Sequence, residues 1–426
     1  MSPTKNWFSC SRSFALGVTV LALSPSVLAF DLVAAYQKAQ AFDPAFQAAK
    51  ADRAVNEADV NVARYSYLPT ASLSFGQETT ENRPRGTAQI VQPLFDLEKF
   101  ATYQEAEPRK VSAEANFRLK EQDLASRVLK VVLEVIKTRE TLDLSAKQVE
   151  ALTAQFNRAK RRNELGQGTL LEVRTSQLRL DQARASRRQL AAQLQIVEKQ
   201  FAAVVGEAPG SQVLSMTTTP SIAGVPSLSS LAALTERASN GNASIILARA
   251  AERVAELAQR KVRAGYLPQV NAVGRSSKVD GQPSDTYTGV QVNIPLGLSV
   301  ANIASHKKAA LAIDRAREQR RGTEENVKLE AERLWFLVQG GTEELAIRKE
   351  AIASAEFAAE ANVKSFEAGL VSSVDVINAI LAVFETKRDY LNTLASTTQS
   401  LLDLQAIAAE PPTEALRRVQ TVLRSQ

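Results

Sequence analysis

The side chains that most often carry out chemistry are scarce in this chain. Its 426 residues include one cysteine, Cys10, and one histidine, His306, so no Cys–His nucleophile pair and no Cys- or His-rich zinc centre can be assembled. His306 stands beside Lys307 and Lys308 in a helical pattern and reads as exposed. Gly76 and Gly86 have neither the spacing nor the lysine of a phosphate-binding loop, and glutamates scattered over helix faces do not make an acid–base pair. The sequence therefore supports no enzyme and implies no metal and no cofactor. What remains is charge at two matching places. Glu172 follows Leu165-Gly166, and Asp375 follows Gly369-Leu370; an acid shortly after a glycine break suits the start of a helix, whose dipole favours negative charge there. Arg158, Lys160, Arg161 and Arg162 precede Gly166 by one to two turns. They read either as cations complementing a helix C-terminus or as a patch that steers an acidic partner or an anionic cargo.

These charged positions are equivalent points of a tandem repeat. Arg64-Tyr65-Ser66-Tyr67-Leu68-Pro69 recurs as Arg263-Ala264-Gly265-Tyr266-Leu267-Pro268, Gln92-Pro93-Leu94-Phe95 recurs in outline as Asn293-Ile294-Pro295-Leu296, and Leu165-Gly166 recurs as Ala368-Gly369. Three landmarks in the same order define two copies of one unit: a first repeat over residues 30–207 and a second over 228–410, joined by a Pro-, Ser- and Thr-rich connector at 208–227 and followed by a short polar tail at 411–426. Val128, Val135, Leu142, Val149 and Phe156 fall every seven residues, as do Val338, Leu345, Ile352, Ala359 and Phe366, the seam of a coiled coil. Each stretch, about 98 to 164 and about 300 to 366, is expected to be one helix roughly 100 Å long. Shorter helices are expected at about 31 to 65, 171 to 205, 228 to 264 and 371 to 408, with Gly166 and Gly369 breaking the long helices from those that follow.

Within each repeat the period changes to two. Ala71, Leu73 and Phe75 alternate with serines, and Val290, Val292 and Ile294 alternate with Gln291 and Asn293, predicting hairpins at 70–95 and 269–296 whose strands have one apolar and one polar face. Strands of nine or ten residues suit a tilted transmembrane β-strand. Arg83, Arg85 and Lys278 near the tips read as solvated or as contacts for lipopolysaccharide phosphates. The composition, 45% apolar and 23% charged, excludes a helical membrane protein, since only Phe14 to Leu28 approaches a spanning length. That stretch, preceded by Lys5 and Arg12 and followed by Val27-Leu28-Ala29, is expected to be a signal peptide over residues 1–29; an uncleaved anchor is the alternative. The mild excess of positive charge, +6, is interleaved with acids along helices, which fits a solvated surface and not nucleic acid. Four strands cannot close a barrel, and open edges are not tolerated in lipid. If the strands enter a membrane, several chains must share one barrel, and an exported chain then points to the bacterial outer membrane.

The landmarks together resemble the TolC family of trimeric outer-membrane channel-tunnels of type I secretion and multidrug efflux, over essentially the whole expected mature chain. The carriers are Asp43-Pro44, Tyr67-Leu68-Pro69, Gln92-Pro93-Leu94-Phe95-Asp96, Tyr266-Leu267-Pro268, Asn293-Ile294-Pro295-Leu296 and Ala368-Gly369-Leu370-Val371-Ser372-Ser373-Val374-Asp375-Val376. The resemblance implies a mainly α fold, a tandem-repeat coiled-coil tunnel, with four strands per chain entering a shared barrel of about twelve. It implies a homotrimer in outer-membrane lipid, a periplasmic adaptor docking at the tips Leu165, Gly166, Gly369 and Leu370, and an inner-membrane ABC or proton-driven transporter. It implies an aperture at Asp375, whose three copies form an acidic ring, with Asn378, Phe366, Val371 and Glu172 around it. Where related channels carry a second acid, a Tyr and an Arg, this chain has Asn378, Phe366 and Val371, which implies a weaker or differently constructed gate and a less acidic mouth. The favoured function is the exit duct for a type I secreted protein. Small-molecule efflux and a non-channel periplasmic coiled-coil scaffold are the alternatives, and the alternating hairpins argue against the scaffold.

Overall fold

The computed structural model describes residues 31–78, 83–210, 230–295 and 300–424. The expected signal peptide, the tip of the first hairpin and the connector from residue 211 onward lie outside the described residues. In chain order the elements are α1 (Leu32–Phe42), α2 (Pro44–Tyr65), β1 (Thr70–Glu78), β2 (Arg83–Phe95), α3 (Leu97–Glu164), α4 (Leu170–Val205), α5 (Leu231–Gly241), α6 (Ala243–Ala264), β3 (Gln269–Val279), β4 (Asp285–Asn293), α7 (Val300–Glu367), α8 (Ser373–Ile407) and α9 (Pro412–Arg424). The described residues are mainly helical, with four antiparallel strands among them.

The two long helices, α3 and α7, have 68 residues each, about 100 Å of shaft. Such lengths need tertiary support. α3 packs on α2, α4, α6 and α8, while α7 packs on α6 and α8. Val128, Val135, Val338 and Leu345 of the seven-residue series are at most 1% exposed. They belong to a central core that also takes in Leu32, Tyr36, Phe201 and Leu401. A second core, of Leu152, Leu180, Phe366, Val376 and Ile377, lies under the glycine turns.

Three expectations are corrected. The helices expected over 31–65 and 228–264 are each two helices, broken at Asp43 and Asn242. Both residues are extended in backbone and cap the following helix: Asp43 accepts from the Phe46 amide at 2.8 Å and Asn242 from the Ser244 amide at 2.9 Å. The expected polar tail at 411–426 is largely α9, whose Leu416 and Val419 are fully buried against α1, α3 and α8. His306, expected to be exposed, is partly covered by the Tyr266 ring, 4.9 Å away between centroids.

The strands form one antiparallel sheet in the order β1-β2-β3-β4. Its register puts Ala71, Leu73, Phe75, Ala88, Ile90, Ala272, Val290 and Val292 on one face, and Ser72, Ser74, Thr87, Gln89, Arg275, Ser277, Tyr287 and Gln291 on the other. Leu73 and Phe75 are 74% and 85% exposed, whereas Val273 and Ser277 on the polar face are 7% and 5% exposed. Leu73 and Phe75 thus leave the apolar face uncovered at β1, while Ser277 is covered by Arg85 and Thr87 of the neighbouring strand. At the helix end, Tyr67 Oη donates to the Asp96 carbonyl at 2.9 Å and Gln92 Nε2 to the Tyr67 carbonyl at 2.8 Å. Asp96 caps α3 by accepting from the Glu98 and Lys99 amides. The Tyr-Leu-Pro and Gln-Pro-Leu-Phe-Asp landmarks are therefore the clip that turns helix into strand and strand back into helix.

Candidate functional site

The candidate residues gather where α3 turns into α4 and α7 into α8. Both turns are built the same way. Gly166 has φ +72° and Gly369 φ +77°, left-handed conformations that L side chains rarely adopt. Around the first, the Gly166 amide donates to the Asn163 carbonyl and Gln167 to Arg162; around the second, Gly369 donates to Phe366 and Leu370 to Ser365. Each pair is a Schellman closure, which satisfies carbonyls that a helix end leaves free. Three residues beyond each glycine a hydroxyl caps the next helix: Thr169 accepts from the Glu172 amide and Ser372 from the Asp375 amide, each at 3.2 Å.

The acids differ. Asp375 closes a capping box, its carboxylate accepting from the Ser372 hydroxyl at 2.7 Å and the Ser372 amide at 3.0 Å. It is exposed, and those bonds, the hydroxyl's first, hold its pKa below the usual carboxylate range. The capping role weighed from the sequence is thus present. Asn378, one turn on, is also exposed. Glu172 is half-buried. Its Oε2 is buried without a hydrogen-bond partner among the described residues, and it lies 3.1 Å from where a Cβ on Gly168 would stand.

Phe366, expected around the aperture, is 2% exposed and packed in the core beneath the turn, with Val371 resting partly buried on the same cluster. An aromatic here cannot hydrogen-bond, but the Arg162 guanidinium lies over its ring at 4.6 Å, a cation–π contact between the two repeats. The rest of the basic cluster is also engaged: Arg158 faces Glu367 at 3.6 Å, Lys160 faces Glu164 at 4.0 Å, and Arg161 donates to its own helix at Asn157. Exposed apolar side chains surround the turns. Leu165, Leu171 and Leu370 are 72%, 74% and 79% exposed, more than folding of one chain requires.

Sequence reasoning missed a buried polar contact beneath the turns. Gln155 of α3 donates to Ser373 Oγ of α8 at 3.0 Å, and Ser176 Oγ of α4 lies 3.5 Å from Ser373 Oγ. Gln155, Ser176 and Ser373 are each 1% exposed. The signal was available, since Gln155 stands between Leu152 and Ala159 on the buried stripe of α3. The site as a whole is two turns carrying carboxylates and exposed leucines at the ends of the two long helices.

Comparison with known proteins agrees with this geometry. The family model described as outer membrane efflux protein matches residues 35–207 and 234–410, once per repeat. The chain is 26% identical to the proteases secretion protein PrtF of Dickeya chrysanthemi, over 93% of this chain and 92% of that protein. It is 23% identical to the outer membrane protein TolC of Vibrio cholerae, over 92% and 93%. The crystal structure of the outer membrane protein VceC from Vibrio cholerae superposes with a TM-score of 0.74 at 16% identity, covering 89% of this chain and 96% of that one.

Proposed function

The chain belongs to the outer membrane efflux protein family, and from that premise we propose that it is the passive exit duct of a tripartite export system. It is an outer-membrane protein with a periplasmic helical tunnel. The observation that carries the duct is the sheet: four antiparallel strands, apolar on one face and polar on the other, with β1 and β4 each paired on one side only among the described residues. Open edges are excluded from lipid. An even number of alternating strands lets β1 of one copy pair antiparallel with β4 of the next, so three copies close a barrel of about twelve strands. In this reading a periplasmic adaptor docks on the exposed leucines of the tips, and an inner-membrane ABC or proton-driven transporter supplies the energy.

The three Asp375 carboxylates ring the periplasmic aperture and attract cations. A type I secreted protein is the favoured cargo, supported by the likeness to PrtF and by short hairpins without a lipidation cysteine behind the expected signal peptide. Outer-membrane fractionation with gel electrophoresis of unheated and heated samples tests the duct: a heat-dissociable trimer is expected, and a soluble periplasmic monomer would end the reading. In planar bilayers Asp375→Ala is expected to raise anion relative to cation conductance, and unchanged selectivity would sink the ring. Deleting the gene is expected to abolish export of a secreted protein; unchanged export together with raised drug sensitivity would assign the duct to efflux.

A further inference from the structure

The polar face of the sheet carries a feature that the tips do not share. At one level of the register Ser72, Gln89, Arg275 and Tyr287 stand side by side on β1, β2, β3 and β4. Arg275 is exposed and makes no hydrogen bond or ion pair among the described residues, while Tyr287 bends away, its Oη 2.5 Å from where a Cβ on Gly289 would lie. One level nearer the hairpin tips are Ser74, Thr87, Ser277 and Asp285, and the next level holds Arg85. Arg85 is thus on the polar face, with its Nε donating to Ser277 Oγ at 3.0 Å. Of the two readings given for the tip cations, that place suits a solvated Arg85; Lys278, opposite Gly86, is on the apolar face. Asp285 makes no ion pair with Arg275. Arg85, Arg275 and Asp285 are the charged residues described on this polar face, a positive balance in which Arg275 stands unpaired among the described residues.

The dimensions of a shared barrel make that charge consequential. Twelve strands about 4.8 Å apart and tilted about 40° enclose a backbone radius of about 12 Å. An arginine reaches about half of that, so three guanidinium groups would stand some 6 Å from the axis, inside the Debye length of about 8 Å at physiological salt. No point on the axis at this level is screened from them. With Gln89 on the neighbouring strand as an amide donor, the level offers charge and hydrogen bonds to carboxylate or phosphate groups.

We propose that Arg275 is a selectivity-determining residue of the duct: three copies form a cationic ring in the barrel lumen that binds and favours anionic groups, opposite in sign to the Asp375 ring at the other end. The proposal rests on the shared-barrel reading. Planar bilayers made with the full mature protein test it, with inositol hexakisphosphate added on the hairpin-tip side as the probe. Wild-type channels are expected to be blocked from that side. Arg275→Ala should raise the half-blocking concentration about tenfold, and Arg275→Lys should keep most of the block. In an Asp375→Ala background, where the aperture no longer dominates, Arg275→Glu should shift the potassium-to-chloride permeability ratio toward potassium about fivefold. Block and permeability ratio unchanged by Arg275→Ala and Arg275→Glu would overturn the ring while leaving the duct standing. Failure of the wild-type protein to form channels would overturn the duct, and the ring with it.

Discussion

The two turns at the ends of α3 and α7 share every backbone device, yet they place their acids differently. Gly166 and Gly369 take the same left-handed conformation, and Thr169 and Ser372 cap at the same offset. The difference comes from the residue between them. Gly168 in the first repeat leaves a hollow into which Glu172 folds, whereas its counterpart Val371 fills the space. The shorter Asp375 stays outside and closes the capping box. Duplication has preserved the main-chain hydrogen bonds that make the fold, and the side chains have diverged where each copy meets something else. Exchanging residues between equivalent positions is therefore the sharpest way to probe it.

The largest effect is expected in the shafts. Gly341 of α7 sits against Thr397 of α8 so closely that a Cβ there would strike the threonine hydroxyl and methyl. The equivalent place in α3 is Thr138, itself buried. Installing the first-repeat residue, Gly341→Thr, should force α7 from α8 and destabilise the protein by about 2–3 kcal/mol. The reverse change, Thr138→Gly, makes no clash and should cost about 1 kcal/mol, mostly from lost packing of the buried side chain and a few tenths from helix propensity. Thermal melting of the solubilised protein followed by circular dichroism compares them, and equal losses would mean that the helices are not in tight contact at Gly341.

The breaks before α2 and α6 come next. Asp43 caps α2 and also pairs with Arg127 of α3 at 2.7 Å, while Asn242 caps α6 and donates to the Ile407 carbonyl at 3.2 Å. Arg127 holds the Asp43 carboxyl below the usual carboxylate range, with the Phe46 and Ala45 amides adding to it against burial. A depressed acid stabilises the fold above its unfolded pKa and loses that contribution as pH falls through the folded value. Asp43→Asn keeps a cap but not the pair, and should cost about 1 kcal/mol at pH 7. The gap in stability between it and the parent protein should close as pH falls below the usual carboxylate range. A gap that persists there would assign the loss to packing instead of charge.

How far the sequence could be read follows the same division. The seven-residue series and the alternation in the strands were legible because each is a local periodicity repeated in two copies, and Tyr67, Gln92 and Asp96 were legible as landmarks though not as a clip. The break at Asp43 carried a readable signal, an N-cap residue before proline, which stood only as a family landmark. α9 was readable from Leu416, Val419 and Leu423 at helical spacing, but the prolines ahead of it suggested a tail. The cover of Arg162 over Phe366 could not be read, and of the contact between Gln155 and Ser373 only the place of Gln155 on the buried stripe of α3 could. Both contacts depend on how α3 of the first repeat lies against α7 and α8 of the second, which no periodicity encodes.

The smallest effect is local and returns to the two acids. Asp375 satisfies the Ser372 amide and hydroxyl, so Asp375→Ala frees the first turn of α8. Glu172 bonds no described donor through its Oε2, so Glu172→Ala removes little from α4 and relieves a buried oxygen. Hydrogen–deuterium exchange should then show amides in the first turn of α8 exchanging about threefold to tenfold faster in Asp375→Ala. The first turn of α4 should be unchanged or slower in Glu172→Ala. Both variants leave the glycine closures intact, so exchange at Gly166, Gln167, Gly369 and Leu370 serves as the internal control. If the two first turns loosen equally, the acids contribute only through the helix dipole, which Glu172 and Asp375 share, and the capping box is not what separates the repeats.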